Sequence, residues 1–379
     1  METSTNYNLD MPLKTDSYAM ISESTLNELL IEALEGKASD VHLTVGLPPM
    51  MRVNGELTPM REYILKPENT EKLCLGMLNL KQREELIAKG EVDFSYGIPN
   101  VSRFRVNVYR QRKSIGAAIR IIMTTIPTIA SLKLPKILEE LAMKPRGLIL
   151  VTGPTGSGKS TTLAAMIDYI NSVRSCHILT LEEPIEYLHK HRKSMVNQRE
   201  VGDDSLSFAN GLRAALREDP DVILVGEMRD LETISTAISA AETGHLVLST
   251  LHTTSAAQTI DRIIDVFPPY QQTQIRVQLA SVIQGIIAQQ LLVTADNHGR
   301  VAALEVLLGT DAVRNTIREG KVHQIQSYIQ TGHKVGMMSM DYSLAQLVRQ
   351  ARITSETAFM YCQDPETLQR YLISDSSMF

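Results

Sequence analysis

The eight residues GPTGSGKS, positions 153–160, constrain this chain more than any other stretch. Glycines at 153, 156 and 158 let the backbone turn tightly with its N–H groups inward, and that geometry suits an anion. The stretch matches G-x-x-x-x-G-K-[ST] at every fixed position. Residues 148–151 form an apolar run fit for a strand buried on both faces of a parallel sheet. Residues 160–170 carry apolar side chains at helical spacing, so a helix directs its positive N-terminal end at the same volume. Gly153, Pro154, Thr155, Gly156, Ser157, Gly158 and Thr161 are the expected cradle. Lys159 is expected to reach the β- and γ-phosphates of ATP, and the Ser160 hydroxyl to face Mg²⁺. Kinases, signalling switches, transporters and mechanical motors all use such a loop, so it specifies a nucleotide and leaves the employment open.

The rest of the pattern divides the chain into four parts. Residues 1–19 read as a flexible extension. Residues 20–124 read as an α+β domain with a helix over 25–34, a strand over 41–45, a hairpin about Asn54 and Gly55, a helix over 81–89, and two strands within 102–123 joined by a basic turn. Residues 125–145, punctuated by Pro127, Pro135 and Pro145, read as a linker. From 146 to 379 strands alternate with helices, which predicts a parallel sheet covered on both sides. Its expected strands are 177–181, 222–225 and 245–251. The helices expected are 230–243, with Ile234, Ala237, Ile238 and Ala241 inward, then 255–266 and 271–292, and the remainder reads as mostly helical.

Composition enters where it excludes. Hydrophobic residues at 43% against 21% charged specify a globular chain. A net charge of 38 − 43 = −5 argues against a stable nucleic-acid partner. Cys74, Cys176 and Cys362 are too dispersed for a zinc module or a disulfide framework. The N-terminus has no charged region leading into an apolar core, and the most apolar later segment, 277–293, is interrupted by Gln278, Gln284, Gln289 and Gln290. The expectation is a cytoplasmic protein.

A nucleotide hydrolase needs a carboxylate to orient water. DVILVGEMRD, 221–230, supplies Glu227 directly after an apolar strand, with Gly226 where a metal-facing aspartate often stands. LEEPIEY, 181–187, brings Glu182, Glu183 and Glu186 to the same sheet edge, where they suit the metal's water shell. His245 and His252 bracket the strand HLVLSTLH and are candidates for sensing the γ-phosphate. In SRFRVNVYR, alternation puts Arg103, Arg105, Asn107 and Tyr109 on one face, with Arg120 on the next strand. Paired arginines of this kind suit neutralisation of phosphate charge in a neighbouring subunit, and equally a solvated strand face. HKHRKS, 189–194, reads as a solvated loop rather than a docking patch.

Together ASDVHL, SRFRVNVY, GPTGSGKST, EEPIE, ALREDPDVILVGEMRDLETI and ETGHLVLSTLHTTSAAQTIDRIIDVFP resemble the secretion ATPase superfamily, and within it the retraction ATPases of type IV pili. RNTIREGKVHQIQSYIQTG, 314–332, is similar to a C-terminal segment associated with retraction. The resemblance implies a PAS-like domain followed by a RecA-like domain, assembled as a homohexamer. It also implies an inner-membrane pilus platform protein as partner, with peripheral association at the cytoplasmic face of the inner membrane. Under it Lys159 is the P-loop lysine, Glu227 the catalytic glutamate, Glu186 an acidic-box carboxylate, and His245 and His252 a histidine-box pair. Arg105 and Arg120 match the N-terminal arginines, with Arg103 and Arg110 as alternatives. The acidic box departs from its usual Glu-Asp-Pro at Glu183. An accessory retraction ATPase, an assembly or secretion ATPase, a phosphotransferase and a non-catalytic assembly module remain as alternatives.

Overall fold

The computed structural model describes residues 23–373 except Asn54, Asn100, Met123 and Thr124, so the extension expected at 1–19 lies outside the described residues. The chain divides into two compact units, Met1–Thr124 and Thr125–Phe379.

In the first unit the order is α1 (Glu23–Glu35), β1 (Asp40–Leu43), β2 (Met50–Val53), β3 (Glu56–Pro59), α2 (Pro67–Gly76), α3 (Leu80–Lys89), β4 (Glu91–Ile98), β5 (Ser102–Gln111) and β6 (Ser114–Ile121). The strands form one antiparallel sheet in the order β3-β2-β1-β6-β5-β4. Period two decides which face is covered: Phe104, Val106 and Val108 of β5 are fully buried with Leu26, Leu29, Leu30 and Ala33 of α1. Two elements go beyond the sequence reading. α2 starts on Pro67 at a position that needs no N–H, and β4 buries Val92 and Phe94 between polar neighbours.

The second unit runs α4 (Ile137–Ala142), β7 (Gly147–Thr152), α5 (Lys159–Val173), β8 (His177–Glu182), β9 (Met195–Glu200), α6 (Phe208–Ala215), β10 (Val222–Val225), α7 (Leu231–Glu242), β11 (Leu246–Leu251), α8 (Ala256–Asp265), α9 (Pro269–Val282), β12 (Ile283–Val293) and β13 (Arg300–Leu308). Then follow α10 (Asp311–Arg318), α11 (Ile325–Thr331), α12 (Met340–Arg349), α13 (Ser355–Tyr361) and α14 (Pro365–Ile373). Strand order is β13-β12-β7-β11-β10-β8-β9, parallel throughout except for β13 against β12. Every residue of β7 is buried because alternate side chains enter two cores. Ile149 and Val151 pack with Leu163, Met166 and Ile170 of α5. Leu148 and Leu150 pack with Ile234, Ile238, Ile260 and Leu279 on the opposite face.

Three expectations need correction. The segment read as a linker, 125–145, contains α4 and buries Ile129, Leu134, Leu138 and Leu141 against the α5 side of the sheet, so it is part of the second unit's core. The helix expected over 271–292 stops at Val282. Arg314 donates to the carbonyls of Ala280 and Ser281, which closes the helix end, and the Ile-rich run after it becomes β12, wedged between β7 and β13. There Gly285 lies where a Cβ would stand 3.0 Å from the Leu141 side chain. Finally, the supposedly helical remainder opens with a nine-residue strand, β13.

Candidate active site

The parallel strands β7, β11, β10 and β8 all end on one edge, and their carboxyl-terminal residues and loops line a cavity of about 530 Å³. Thr155, Gly156, Gly158, Lys159, Ser160 and Thr161 form one wall, and Glu182, Glu183, Glu186, Glu227 and His252 approach it from neighbouring strands.

The loop conformation is one that only glycine holds without strain. φ is +145° at Gly153, +80° at Gly156 and +87° at Gly158. Lys159 opens α5 and its Nζ donates to the carbonyls of Gly153 (2.9 Å) and Pro154 (3.0 Å), so the amine sits over the loop. Burial lowers its pKa, while Glu227 and Glu186 pull it back up. A loop of inward-turned backbone, a helix N-terminus and an ammonium over one cavity fit a phosphate group. The half-buried Ser160, on the cavity wall, fits the one hydroxyl ligand such loops give to Mg²⁺.

Glu227 follows β10 on a turn that is pinned from both sides. Gly226 N donates to Leu181 O at 2.7 Å, Thr250 Oγ1 donates to Gly226 O at 2.6 Å, and Met228 N donates to Thr250 O at 3.1 Å. A Cβ on Gly226 would lie 3.1 Å from Leu181 O and 3.3 Å from the Phe208 ring, so the aspartate of the usual motif would be tight here and its neighbours would have to give by a few tenths of an ångström. The Glu227 carboxylate is only 15% exposed; its Oε2 meets Arg229 Nε at 2.7 Å and His252 Nε2 at 3.4 Å. Carboxylate and lysine therefore share one partly desolvated cavity.

Glu182 is partly buried as well. Burial raises its pKa against hydrogen bonds from Thr180 (2.6 Å) and Gln198 (3.1 Å). Glu186 is exposed at the cavity rim, and the Tyr187 hydroxyl bonds Thr161 Oγ1 at 2.9 Å.

The two histidines part company. His252 follows the carboxyl end of β11 and lines the cavity. His245 precedes the amino end of the same six-residue strand, roughly 20 Å away at 3.3 Å per residue. Its Nδ1 contacts the carbonyl of Ala240 at 2.9 Å. A parallel strand gathers only its carboxyl end at the cradle, so the reading of His245 as a residue beside it is corrected.

In the first unit Arg105 and Arg120 are directly paired across β5 and β6, and Arg120 Nε also meets Asp40 Oδ1 at 3.1 Å on β1. Both arginines are exposed. Arg103 and Arg110 lie two and five residues from Arg105 on β5.

Residues 190–193 are exposed as the sequence reading expects, while His189 and Ser194 at the ends of the segment are not. His189 lines the cavity, His191 Nδ1 accepts from Val196 N at 3.0 Å, and Arg192 pairs with Asp168 at 3.2 Å. His189 Nδ1 is buried without a partner, and burial, helped by Arg192, pushes its pKa down to about 4. An unfolded chain takes up this proton near 6.5 and the folded one only near 4, so the contribution to stability is complete above 6.5 and is lost as pH falls toward 4. Stability is expected to drop by up to about 2 kcal/mol between pH 7.5 and pH 5 from this group. Urea denaturation at both values, with His189→Asn as comparison, checks it; the variant's drop should be smaller.

Arg229, Thr250, Tyr187, His189 and Gln289 are the site residues that sequence reading passed over. Arg229, Tyr187 and Thr250 had a signal, each within two residues of Glu227, Glu186 or His252, and His189 lies three residues from Glu186; Gln289 reaches the site only through strand pairing.

This chain is 49% identical over 341 residues to the type IV pilus retractation ATPase PilT of Pseudomonas aeruginosa, covering 90% of this chain and 99% of that protein. It is 42% identical to the type IV pilus ATPase PilU of the same organism, over 90% of each chain. The crystal structure of the pilus retraction motor PilT with bound ADP superposes with a TM-score of 0.84 at 52% identity, covering 90% of this chain and 98% of that one. The family model for "Type II/IV secretion system protein" matches residues 128–369, from the core-packed segment before the cradle to the last helix. With the cradle, the Glu227 turn and these matches in agreement, the chain belongs to the Type II/IV secretion system protein family.

Proposed function

We propose that this protein is an ATPase motor that powers type IV pilus retraction and twitching motility. The observation that carries the reading is a single cavity lined by both Lys159 and Glu227, in a chain similar along nine tenths of its length to a pilus retraction ATPase. Lower identity to PilU than to PilT makes an accessory retraction role the weaker alternative.

In this reading the cradle 153–161 holds the ATP phosphates, with Lys159 exchanging its loop carbonyls for β- and γ-oxygens. Ser160 is the side chain that would hold Mg²⁺, which when bound neutralises charge on those oxygens. Glu227 orients and deprotonates the attacking water, held by Arg229 and His252. Glu186 is placed to hold water at the metal's side, and His252 to respond to the γ-phosphate. The first unit, taken as PAS-like, presents Arg105 and Arg120 to the nucleotide of an adjoining subunit in a homohexamer, and the ring acts on a platform protein of the inner membrane from the cytoplasmic side. Among the described residues no helix is long and apolar enough to cross a membrane.

Lys159→Ala is expected to reduce phosphate release to background and to weaken ADP binding at least tenfold while leaving the melting temperature near that of the parent. Parent-like turnover in the folded variant would refute the assignment. In a piliated host, deleting the gene should leave surplus surface pili and no twitching; absence of pili would instead indicate assembly.

A further inference from the structure

Gln289 lies 132 residues from Ser157 in sequence, in the middle of β12, and is 3% exposed. Its carboxamide uses both ends. Nε2 donates to Ser157 O at 2.6 Å, and Oε1 accepts from Thr162 Oγ1 at 2.7 Å. One side chain thus ties the last peptide of the phosphate loop to the first turn of α5. The fit around it is close: a Cβ on Gly153 would stand 2.3 Å from Gln289 O, and one on Gly158 would stand 2.8 Å from its Nε2.

We infer that Gln289 is a positioning residue for the phosphate cradle, an inference that rests on the nucleotide-binding reading of this site. In a trans peptide the C=O and the next N–H point in opposite directions. Holding Ser157 O toward β12 therefore aims the Gly158 N–H away from β12, with a direction the loop alone does not fix. A carboxamide supplies a donor and an acceptor together at this reach. A leucine supplies neither, and a carboxylate supplies two acceptors against the Ser157 carbonyl. Because the pair is buried, water does not replace the lost bonds.

The probe is ADP, titrated calorimetrically into the full chain, each variant being compared with the parent at the same pH so that titration of Lys159 and of the phosphates cancels. At pH 8 Gln289→Leu and Gln289→Glu are expected to bind ADP about tenfold more weakly. At pH 6 Gln289→Glu is expected to recover most of that loss, because a buried glutamic acid takes up its proton early and its O–H then donates to Ser157 O. Gln289→Leu recovers nothing. A side chain that merely filled space would be replaced by leucine at pH 8 without loss of ADP affinity. Parent-like affinity in both variants at pH 8, or an equal deficit for Gln289→Glu at both pH values, overturns the inference. If Gln289→Leu does not fold, the Gln289→Glu comparison decides alone. A parent that binds no ADP would refute the nucleotide reading itself.

Discussion

Glu227→Gln should leave a folded, nucleotide-binding protein whose turnover falls by about 10² to 10⁴, the range general-base catalysis commonly supplies. The substitution keeps the side chain's size and its place on the turn fixed by Gly226 and Thr250. It removes the charge that accepts a proton and that Arg229 and His252 face. The measurement is steady-state phosphate release alongside ADP affinity. Affinity is expected to stay within a few-fold of the parent, so that the loss appears in kcat. A turnover within a factor of two of the parent would remove Glu227 from the chemistry.

The second large effect belongs to Arg105 and Arg120. Arginines that stabilise charge on a transferring phosphoryl group are worth about 10³ to 10⁵ in rate, or roughly 4 to 7 kcal/mol of barrier. Arg105→Ala and Arg120→Ala are therefore expected to slow hydrolysis by at least 10³ while nucleotide binding survives. Asp40 sharpens the comparison. Its contact with Arg120 but not Arg105 means that Arg120→Ala also frees a carboxylate, so the two variants need not be equal. Mixing subunits that lack the arginines with subunits that carry Lys159→Ala tests the trans arrangement. Partial recovery of activity is expected if the subunits act in trans, because a mixed assembly would then join an intact cradle to intact arginines. No recovery at any mixing ratio would exclude action across subunits.

The cradle was legible because its chemistry is local: three glycines, a lysine and a hydroxyl within eight residues, framed by a strand and a helix. Glu227 was legible for a similar reason, as a carboxylate one glycine beyond four buried apolar residues. Legibility failed where the decisive partner is distant in sequence. The glutamines of 277–293 read as polar interruptions of an apolar segment in an expected helix, yet Gln289 is buried against the phosphate loop on a strand. Likewise His245 and His252 look equivalent as a bracketing pair, and only the parallel direction of β11 separates them. The edge strand β9, with exposed Met195 and Asn197, lacks the apolar run that marked β8 and β10. Residues 125–145 carried prolines that suggested a tether, but Ile129, Leu134, Leu138 and Leu141 recur closely enough to build a core.

The placement of β7 has a consequence for motion. It lies inside the seven-strand sheet, with β11 on one side and β12 on the other, and none of its residues is exposed. Its amides should open only with global unfolding and rank among the slowest in the protein to exchange with deuterium. The loop that follows is thus a short span mounted on one of the stiffest segments. Work done at the cradle is then transmitted into a frame that does not yield locally.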